Sequence, residues 1–456
     1  MYSFQRYYFP FQPVRLLLLL VFFTFSVDCL SQNTSYFPEF VAFGENPIIK
    51  FGDELRASPW NDPTVLKKGD QYILYTSGVE GGLNHPNDTV AIYRWLSSDS
   101  YSWTLNPDTP VLKSKAGTYY SGGVETPSVV FYKDQYHMYN TVYVENTPFD
   151  FKISHATSTD GISWQIDQDL ILAPSNSLDW MSTITAEPGV LVKDDTLYLF
   201  FAAGDPTGFL NIGLVRSIDG RSFIDTTLTA TLPTEVYPLN DNYTGLSTPS
   251  PALLGDTIYL FTDVAQVVFE DNFMQVALHQ FKSYGNLNQW IPDERPIHSR
   301  SDFEWTNGNL NAEIRSVTPL LDGNNLRIWY AGHRISEIDL TTNDTTNYVF
   351  FVGDELHVNK DFWGIGTSEY QIGSLVNNLE DERFSNEIEI QFYNKKGKIT
   401  IADQSSAYAE IYTIDGRQLL NRYFKGMLAF DLQYQGVIVI RVASQNQFIT
   451  KKYYSG

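Results

Sequence analysis

Cysteine is all but missing from these 456 residues: the one thiol is Cys29, inside an N-terminal apolar stretch. Its rarity excludes a disulfide framework, a thiolate metal centre and a cysteine nucleophile from the rest of the chain. Histidines number 7, and none are spaced as H-x-H or H-x-x-x-H, which argues against a catalytic transition metal. Positive charge is also short. Lys plus Arg number 31 against 53 Asp plus Glu, a formal charge of −22, which argues against nucleic acid as a partner. The acidity itself is read as solubility of an exported chain and names no substrate. No long stretch carries helical periodicity, and beyond the N-terminal stretch no apolar run nears the ~20 residues of a membrane-spanning helix.

What is present begins with a leader. Arg6 and Arg15 precede an apolar run from Leu16 to Val27, and polar sequence resumes at Ser31-Gln32. This is the layout of a secretory signal peptide over residues 1–32, leaving no integral membrane segment after cleavage and a secreted or surface-attached protein. Lipid attachment at Cys29 is the competing reading, disfavoured by Asp28 where a small side chain is expected. Asn-x-Ser/Thr sequons stand at Asn33, Asn87, Asn242 and Asn343 and suit a eukaryotic secretory route.

Phe and Tyr are abundant, 30 and 29, and β-branched residues come in short runs broken by Gly, Asn and Asp, so strands are expected throughout. The runs repeat. Trp60-Asn61-Asp62-Pro63 precedes QYILYTSG, Glu125-Thr126-Pro127 precedes DQYHMYN, Glu187-Pro188 precedes DTLYLFFAAG, Thr248-Pro249 precedes DTIYLFTD, and Thr318-Pro319 precedes LRIWYAG. The prolines at 63, 127, 188, 249 and 319 are separated by 64, 61, 61 and 70 residues. A second marker, SSDSYSW at 97–103, STDGISW at 158–164 and SIDGRSF at 217–223, with a degraded form ending at Trp290, recurs at the same period and carries a hairpin turn.

Each unit therefore reads as a small antiparallel meander. Four strands of ~5–6 residues with turns use ~40–45 residues, which leaves room for long loops on one face. Five such units without helices predict an all-β, five-bladed β-propeller over residues 33–375, with a stretched sandwich or two separate β-domains as the alternative. After Tyr370 the pattern lapses into an acidic, Asn-rich linker at 376–389. Alternating apolar and polar positions then resume, with Asp415-Gly416 as a turn, and predict a small C-terminal β-sandwich over 390–456.

In a radial array, equivalent positions converge on one axis, so the repeat predicts a site. Before the shared proline the units carry Asp62, Thr126, Glu187, Thr248 and Thr318, with Glu125 one step earlier in the second. Paired carboxylates across a sugar can protonate a leaving oxygen and activate water, which is what glycosidic cleavage requires. The bland alternative for each is a turn residue that bonds local backbone N–H groups. Trp103, Trp164, Trp290 and Phe223 travel with the turn marker and are assigned to the core. Trp60, Trp180 and Trp305 fall outside it and are expected as stacking platforms at the channel mouth, with Asn61, Glu313 and Arg315 binding substrate hydroxyls or pairing with each other.

Over residues 40 to 370 the chain resembles the five-bladed propeller glycosidases, chiefly glycoside hydrolase family 43. The resemblance rests on Asp62-Pro63 and Glu187-Pro188-Gly189, each followed by an aromatic strand. It implies Asp62 as general base, Glu187 as general acid with a raised pKa, inversion of configuration, and arabinofuranoside- or xyloside-like plant or algal substrates. The family's second-blade Asp is replaced by Thr126, leaving Glu125 as the candidate for tuning and orienting. Trp60-Asn61-Asp62-Pro63 also looks like the opening motif of family 32, but Thr64-Val65 and the missing Arg-Asp-Pro depart from it. No cofactor is implied, and a structural calcium, as some relatives hold, is left without assigned ligands.

The last seventy or so residues resemble the type A sorting domain of type IX secretion cargo, through Ile411 to Arg417, Gly436 to Val442 and Thr450-Lys451-Lys452. The usual Pro-Asn-Pro opening is missing, and Ile438 stands where Tyr is usual. The resemblance implies the type IX machinery as a partner and weakens the sequons. An immunoglobulin-like accessory domain is the alternative. Rival functions are a non-catalytic carbohydrate-binding propeller, a mannoside phosphorylase, which would need more cationic residues than Arg315, and a sialidase, which would need an arginine triad.

Overall fold

The structure is a computed structural model that describes residues 37–50, 60–79, 89–333 without 146, 148, 149, 270, 271, 285, 286, 288 and 307–311, then 350–352, 355–357, 363–372, and 388–455 without 394, 402–405, 414–416, 435, 445 and 446. The leader with Cys29, the sequons at Asn33, Asn87 and Asn343, the Asp415-Gly416 turn and most of the 376–389 linker lie outside the described residues. Regular structure is otherwise β, apart from two 3-10 turns at Asp179–Met181 and Leu239–Asp241. No described helix is long and apolar enough to cross a membrane.

Five antiparallel meanders follow one another. The first runs through Asn61–Lys68, Gln71–Val79, Val90–Ser97 and Thr104–Leu105. The second runs through Gly123–Tyr132, Gln135–Tyr143, Lys152–Ser158 and Gln165–Ile166, and the third through Ile184–Lys193, Thr196–Gly204, Leu210–Ser217 and Ile224–Ala230. The fourth has Tyr243–Leu254, two long strands at Thr257–Phe269 and Asn272–Tyr284, and short outer pieces at Ile291–Pro292 and His298–Ser299. In the fifth, Glu313–Asp322, Asn325–His333 and Trp363–Gln371 are completed by Val41–Ala42 and Ile49–Lys50, so the earliest described strands close the last meander. First strands of successive meanders abut, and the fifth returns to the first, which makes a ring with these strands innermost.

Side chains explain why the meanders hold together. An aromatic at one position of each second strand meets the next unit's outer aromatic: Tyr75 against Trp164, Tyr139 against Phe223, Phe200 against Trp290 and Trp329 against Trp103, with Phe261 against Phe40. The turn marker adds hydrogen bonds. Asp160 Oδ1 accepts from the N–H groups of Ile162 and Ser163, both at 2.8 Å, and this turn offers the Gly161 carbonyl to Tyr75 Oη–H at 2.7 Å. Asp219 and Gly220 repeat the device against Tyr139. The marker residues assigned to the core thus act as staples between neighbouring units.

The C-terminal region is two sheets, one of Ile388–Tyr393, Lys396–Ile401 and Met427–Asp431, the other of Gln418–Lys425, Ser406–Thr413, Gly436–Ser444 and Gln447–Ser455. Ile390, Ile399, Leu428 and Phe430 from the first sheet meet Ala409, Ile411, Ile438, Ile440 and Val442 from the second in one buried cluster. Alternating inward positions from two sheets are the arrangement of a β-sandwich.

Candidate active site

Every inner strand breaks its pairing once, at an equivalent place. The register slips between Asn61 and Thr64, Glu125 and Ser128, Ala186 and Gly189, Ser247 and Ser250, and Arg315 and Thr318. Each slip is a β-bulge whose first residue has positive φ: Asp62 at 51°, Thr126 at 49°, Glu187 at 53°, Thr248 at 41° and Ser316 at 56°. Such a backbone is strained for a non-glycine residue, and most so for β-branched threonine. Its effect is to turn five side chains away from the ladder into one cavity, lined by these residues and those following them.

One assignment is corrected here. The fifth unit contributes Ser316, and Thr318 lies two residues further along, back in the ladder. The bulge sets the equivalence, and in the fifth meander it precedes Val317 while Pro319 has slipped out of step. Arg315 is therefore the structural counterpart of Glu125 and Asn61, immediately before the bulge.

A bulge leaves its own N–H outside the ladder, and the preceding meander supplies the partner. Thr126 N–H donates to Ser77 Oγ at 2.9 Å and Glu187 N–H to Thr141 Oγ1 at 2.7 Å. Ser316 N–H is shared by both oxygens of Asp263, at 2.8 and 2.9 Å. Ser77, Thr141 and Asp263 occupy one equivalent position on the second strands, where the third meander has Ala202 and the fifth Ala331. Ala202 can accept nothing, and the Thr248 N–H is taken instead by Glu187 Oε2 at 3.0 Å. Gly189 permits this approach, since a Cβ there would lie 1.8 Å from the Pro249 carbonyl oxygen.

The charged groups form a tight set. Arg315 Nη1 is 3.3 Å from Glu313 Oε2, and Nη2 is 4.0 Å from Glu187 Oε1. His333 Nδ1 lies 3.4 Å from Glu313 Oε2. Asp62 is 6% exposed and accepts from Ser316 Oγ–H at 2.6 Å. Burial pushes the Glu187 carboxyl above the ordinary range, against the pull of Arg315 and the Thr248 N–H. Burial, reinforced by Asp62, raises Glu125 to about 8, which favours a proton on it at neutral pH. Burial alone would lower Arg315, but Glu313, Asp62, Glu187 and Asp263 reverse that and keep it cationic. Burial lowers His333, which is neutral beside them. Chemically, the set offers a hydrogen-bonded carboxylate, a carboxyl able to hold a proton, and a fixed cation.

The three tryptophans expected as platforms are not at the cavity. Trp60 has no exposed surface and packs edge-on to Tyr93 and Trp95. Trp305 is buried in a stack with Phe303 and Tyr330, and half-buried Trp180 lies on Phe201. Each covers a glycine of its own sheet, Gly78, Gly213 or Gly366, where a side chain would displace the ring. Trp60 and Trp305 are enclosed blade core with no face for a sugar, and one face of Trp180 is taken by Phe201. Asn61 sits at the strand start with its Oδ1 buried, and, like Glu125, Glu313 and Arg315, it is not among the residues lining the cavity.

Sequence reasoning missed Ser316, Asp263 and His333. Asp263 ends DTIYLFTD at the offset where QYILYTSG carries Ser77 and DQYHMYN leads to Thr141, so alignment of the second strands would have exposed an acid in a hydroxyl position. Among the described residues no group of three or more His, Cys, Asp or Glu side chains is placed to hold a metal ion.

No family model matches this chain, and no curated protein matches it. Solved structures do. A glycosyl hydrolase from Bacteroides ovatus aligns at a TM-score of 0.51 and 12% identity, over 74% of this chain and 94% of its own. A second Bacteroides ovatus protein, presented as a candidate glycoside hydrolase, aligns at 0.51 and 12% over 73% and 96%. A thermostable family-43 glycoside hydrolase reaches 16% identity at a TM-score of 0.46, over 60% and 84%. At such identities the likeness is one of architecture, and the chain has the all-β propeller fold of these hydrolases.

Proposed function

We propose that the five meanders are the blades of a five-bladed propeller glycosidase, with Asp62 as general base and Glu187 as general acid. The observation that carries the reading is the convergence of five bulge residues on one cavity with acids at only two of them. A purely structural bulge has no reason to bury two carboxyl groups, since Thr and Ser suffice at the other three positions. Asp62 is held as an acceptor by Ser316, while burial favours a proton on Glu187. Protonated Glu125 is the orienting group in the second blade, and Arg315 the cation that binds substrate hydroxyls beside Glu187. The reaction we propose is inverting hydrolysis of arabinofuranoside- or xyloside-like linkages in plant or algal glycans.

Export through a signal peptide and the type IX machinery belongs to the same proposal, supported by the leader sequence and by motif segments that fall on the C-terminal strands. One observation favours a second reading, a carbohydrate-binding propeller without turnover: the second bulge carries Thr126, whose hydroxyl is bonded to that of Thr141.

The test is a panel of aryl glycosides and polysaccharides with wild type, Glu187→Gln and Asp62→Asn, product anomers being followed by NMR. Glu187→Gln should lose at least ~100-fold on unactivated substrates and far less on a good leaving group. Asp62→Asn should lose turnover whatever the leaving group. Sugar binding unchanged in both variants, with no substrate cleaved by wild type, would establish the binding reading instead.

A further inference from the structure

Asp263 is a fully buried acid whose carboxyl burial pushes well above the ordinary range, and it has no part in the chemistry proposed above. It belongs to the second strand of the fourth meander, has no exposed surface, and directs both oxygens at the Ser316 N–H. Ser316 belongs to the inner strand of the fifth meander, and its hydroxyl donates to Asp62 Oδ1 in the first. Three meanders are thus joined through one serine. At the other bulges capped from a second strand the cap is a hydroxyl, Ser77 or Thr141; among the described bulges, here alone a carboxyl grips one N–H with two oxygens.

We propose that Asp263 and Ser316 are positioning residues for Asp62: Asp263 fixes the strained Ser316 backbone so that its hydroxyl is locked onto the carboxylate that activates water. The inference rests on the assignment of Asp62 as base. Ser316 keeps φ 56° with its N–H on Asp263, and without that partner the turn, and with it the direction of the hydroxyl towards Asp62, would be held by fewer contacts. The hydroxyl matters because Asp62 sits among groups of both signs. Glu125 faces it from the second meander, Glu187 from the third and Arg315 from the fifth. A donor aimed at one Asp62 oxygen fixes the orientation of the carboxyl group and leaves the other oxygen for water.

The experiment is steady-state kinetics of the full chain on an aryl glycoside, kcat and KM being separated, alongside crystal structures of the variants. Ser316→Ala should lower kcat about tenfold with KM little changed. Ser316→Thr should restore kcat, because the second and fourth meanders already carry threonine in this strained place. Asp263→Ala should reproduce the loss of kcat and show the Ser316 hydroxyl moved off Asp62; should it fail to fold, the two Ser316 variants carry the test. In an Asp62→Asn background, Ser316→Ala should cost nothing further. Wild-type kcat in Ser316→Ala overturns the relay, as does additivity in the double variant. If Asp62→Asn keeps wild-type turnover, the base assignment fails instead, and the position of the Ser316 hydroxyl in Asp263→Ala still judges the relay independently.

Discussion

Ala202 is the perturbation that tests most directly how this site is wired. Its counterparts Ser77, Thr141 and Asp263 accept the next meander's bulge N–H, and because Ala202 cannot, Glu187 Oε2 receives the Thr248 N–H at 3.0 Å. Ala202→Ser should install the missing acceptor in a position that already accommodates serine in the first meander. The Thr248 N–H would turn to the new hydroxyl and Glu187 would lose a donor that favours its ionised form. A hydrogen bond to a charged group is worth roughly 1.5–3 kcal/mol, and one pKa unit is about 1.4 kcal/mol, so the ceiling is about two units. Arg315, 4.0 Å away, still pulls the other way, and about one unit upward is expected. A general acid works while protonated, so the alkaline limb of kcat/KM should move to higher pH by that amount, on any glycoside the wild type hydrolyses. Glu187, no longer tethered, should also lower the rate at the optimum several-fold. A crystal structure with the serine hydroxyl on Thr248 N–H, combined with an unmoved alkaline limb, would refute this account of the Glu187 carboxyl.

Two further outcomes follow from packing and burial. Trp60→Ala should destabilise the chain by ~3–5 kcal/mol in urea unfolding, the cost of emptying a fully enclosed aromatic site, whereas Trp60→Phe should leave KM unchanged; a raised KM with little loss of stability would return Trp60 to the channel mouth. His279 is buried with Nδ1 on the Tyr237 hydroxyl, and burial lowers its pKa to about 3 from 6.5, so it stays neutral in the fold. The unfolded chain therefore gains protons first as pH drops below about 6.5, and this group's stabilisation is lost progressively towards pH 3. Glu125, raised to about 8, acts in the opposite sense between about pH 8 and 4.5, so the informative quantity is a difference. The melting temperature of His279→Gln should fall less steeply than that of wild type from pH 6.5 to 4.5, and equal slopes would dispose of the argument.

How much of this was legible beforehand depended on which physical feature left a trace in residue type. The meanders did, because their aromatics at Tyr75, Tyr139, Phe200 and Trp329 must fill equivalent spaces and so recur in the letters. Asp62 and Glu187 did, because a carboxyl where other units carry a hydroxyl is a chemical difference. The bulge did not. Positive φ at Asp62, Thr126, Glu187, Thr248 and Ser316 is a property of the backbone, and the proline used to locate it merely follows it in four units and fails in the fifth, which is why Thr318 stood in for Ser316. The tryptophans misled for a related reason. A large ring before an inner strand suggests a platform, but its fate turns on the glycine opposite, and Gly78, Gly213 and Gly366 become visible as seats only when the strands are in register.

The polarity of each bulge is set from the second strand behind it. Five equivalent N–H groups must find partners, and the second strands answer with serine, threonine, alanine, aspartate and alanine in turn. Where the answer is a hydroxyl, the next bulge N–H is satisfied from behind, at Thr126 through Ser77 and at Glu187 through Thr141. Where it is alanine in the third, the acid itself must turn to the next strand, which fixes Glu187 against Thr248. Where it is aspartate in the fourth, the serine it holds reaches across to Asp62. A fold symmetric in its backbone has thus been made asymmetric in its charges through the strand behind the one that lines the channel, and single substitutions there, at Ala202 or Asp263, should change the setting of acids they never touch.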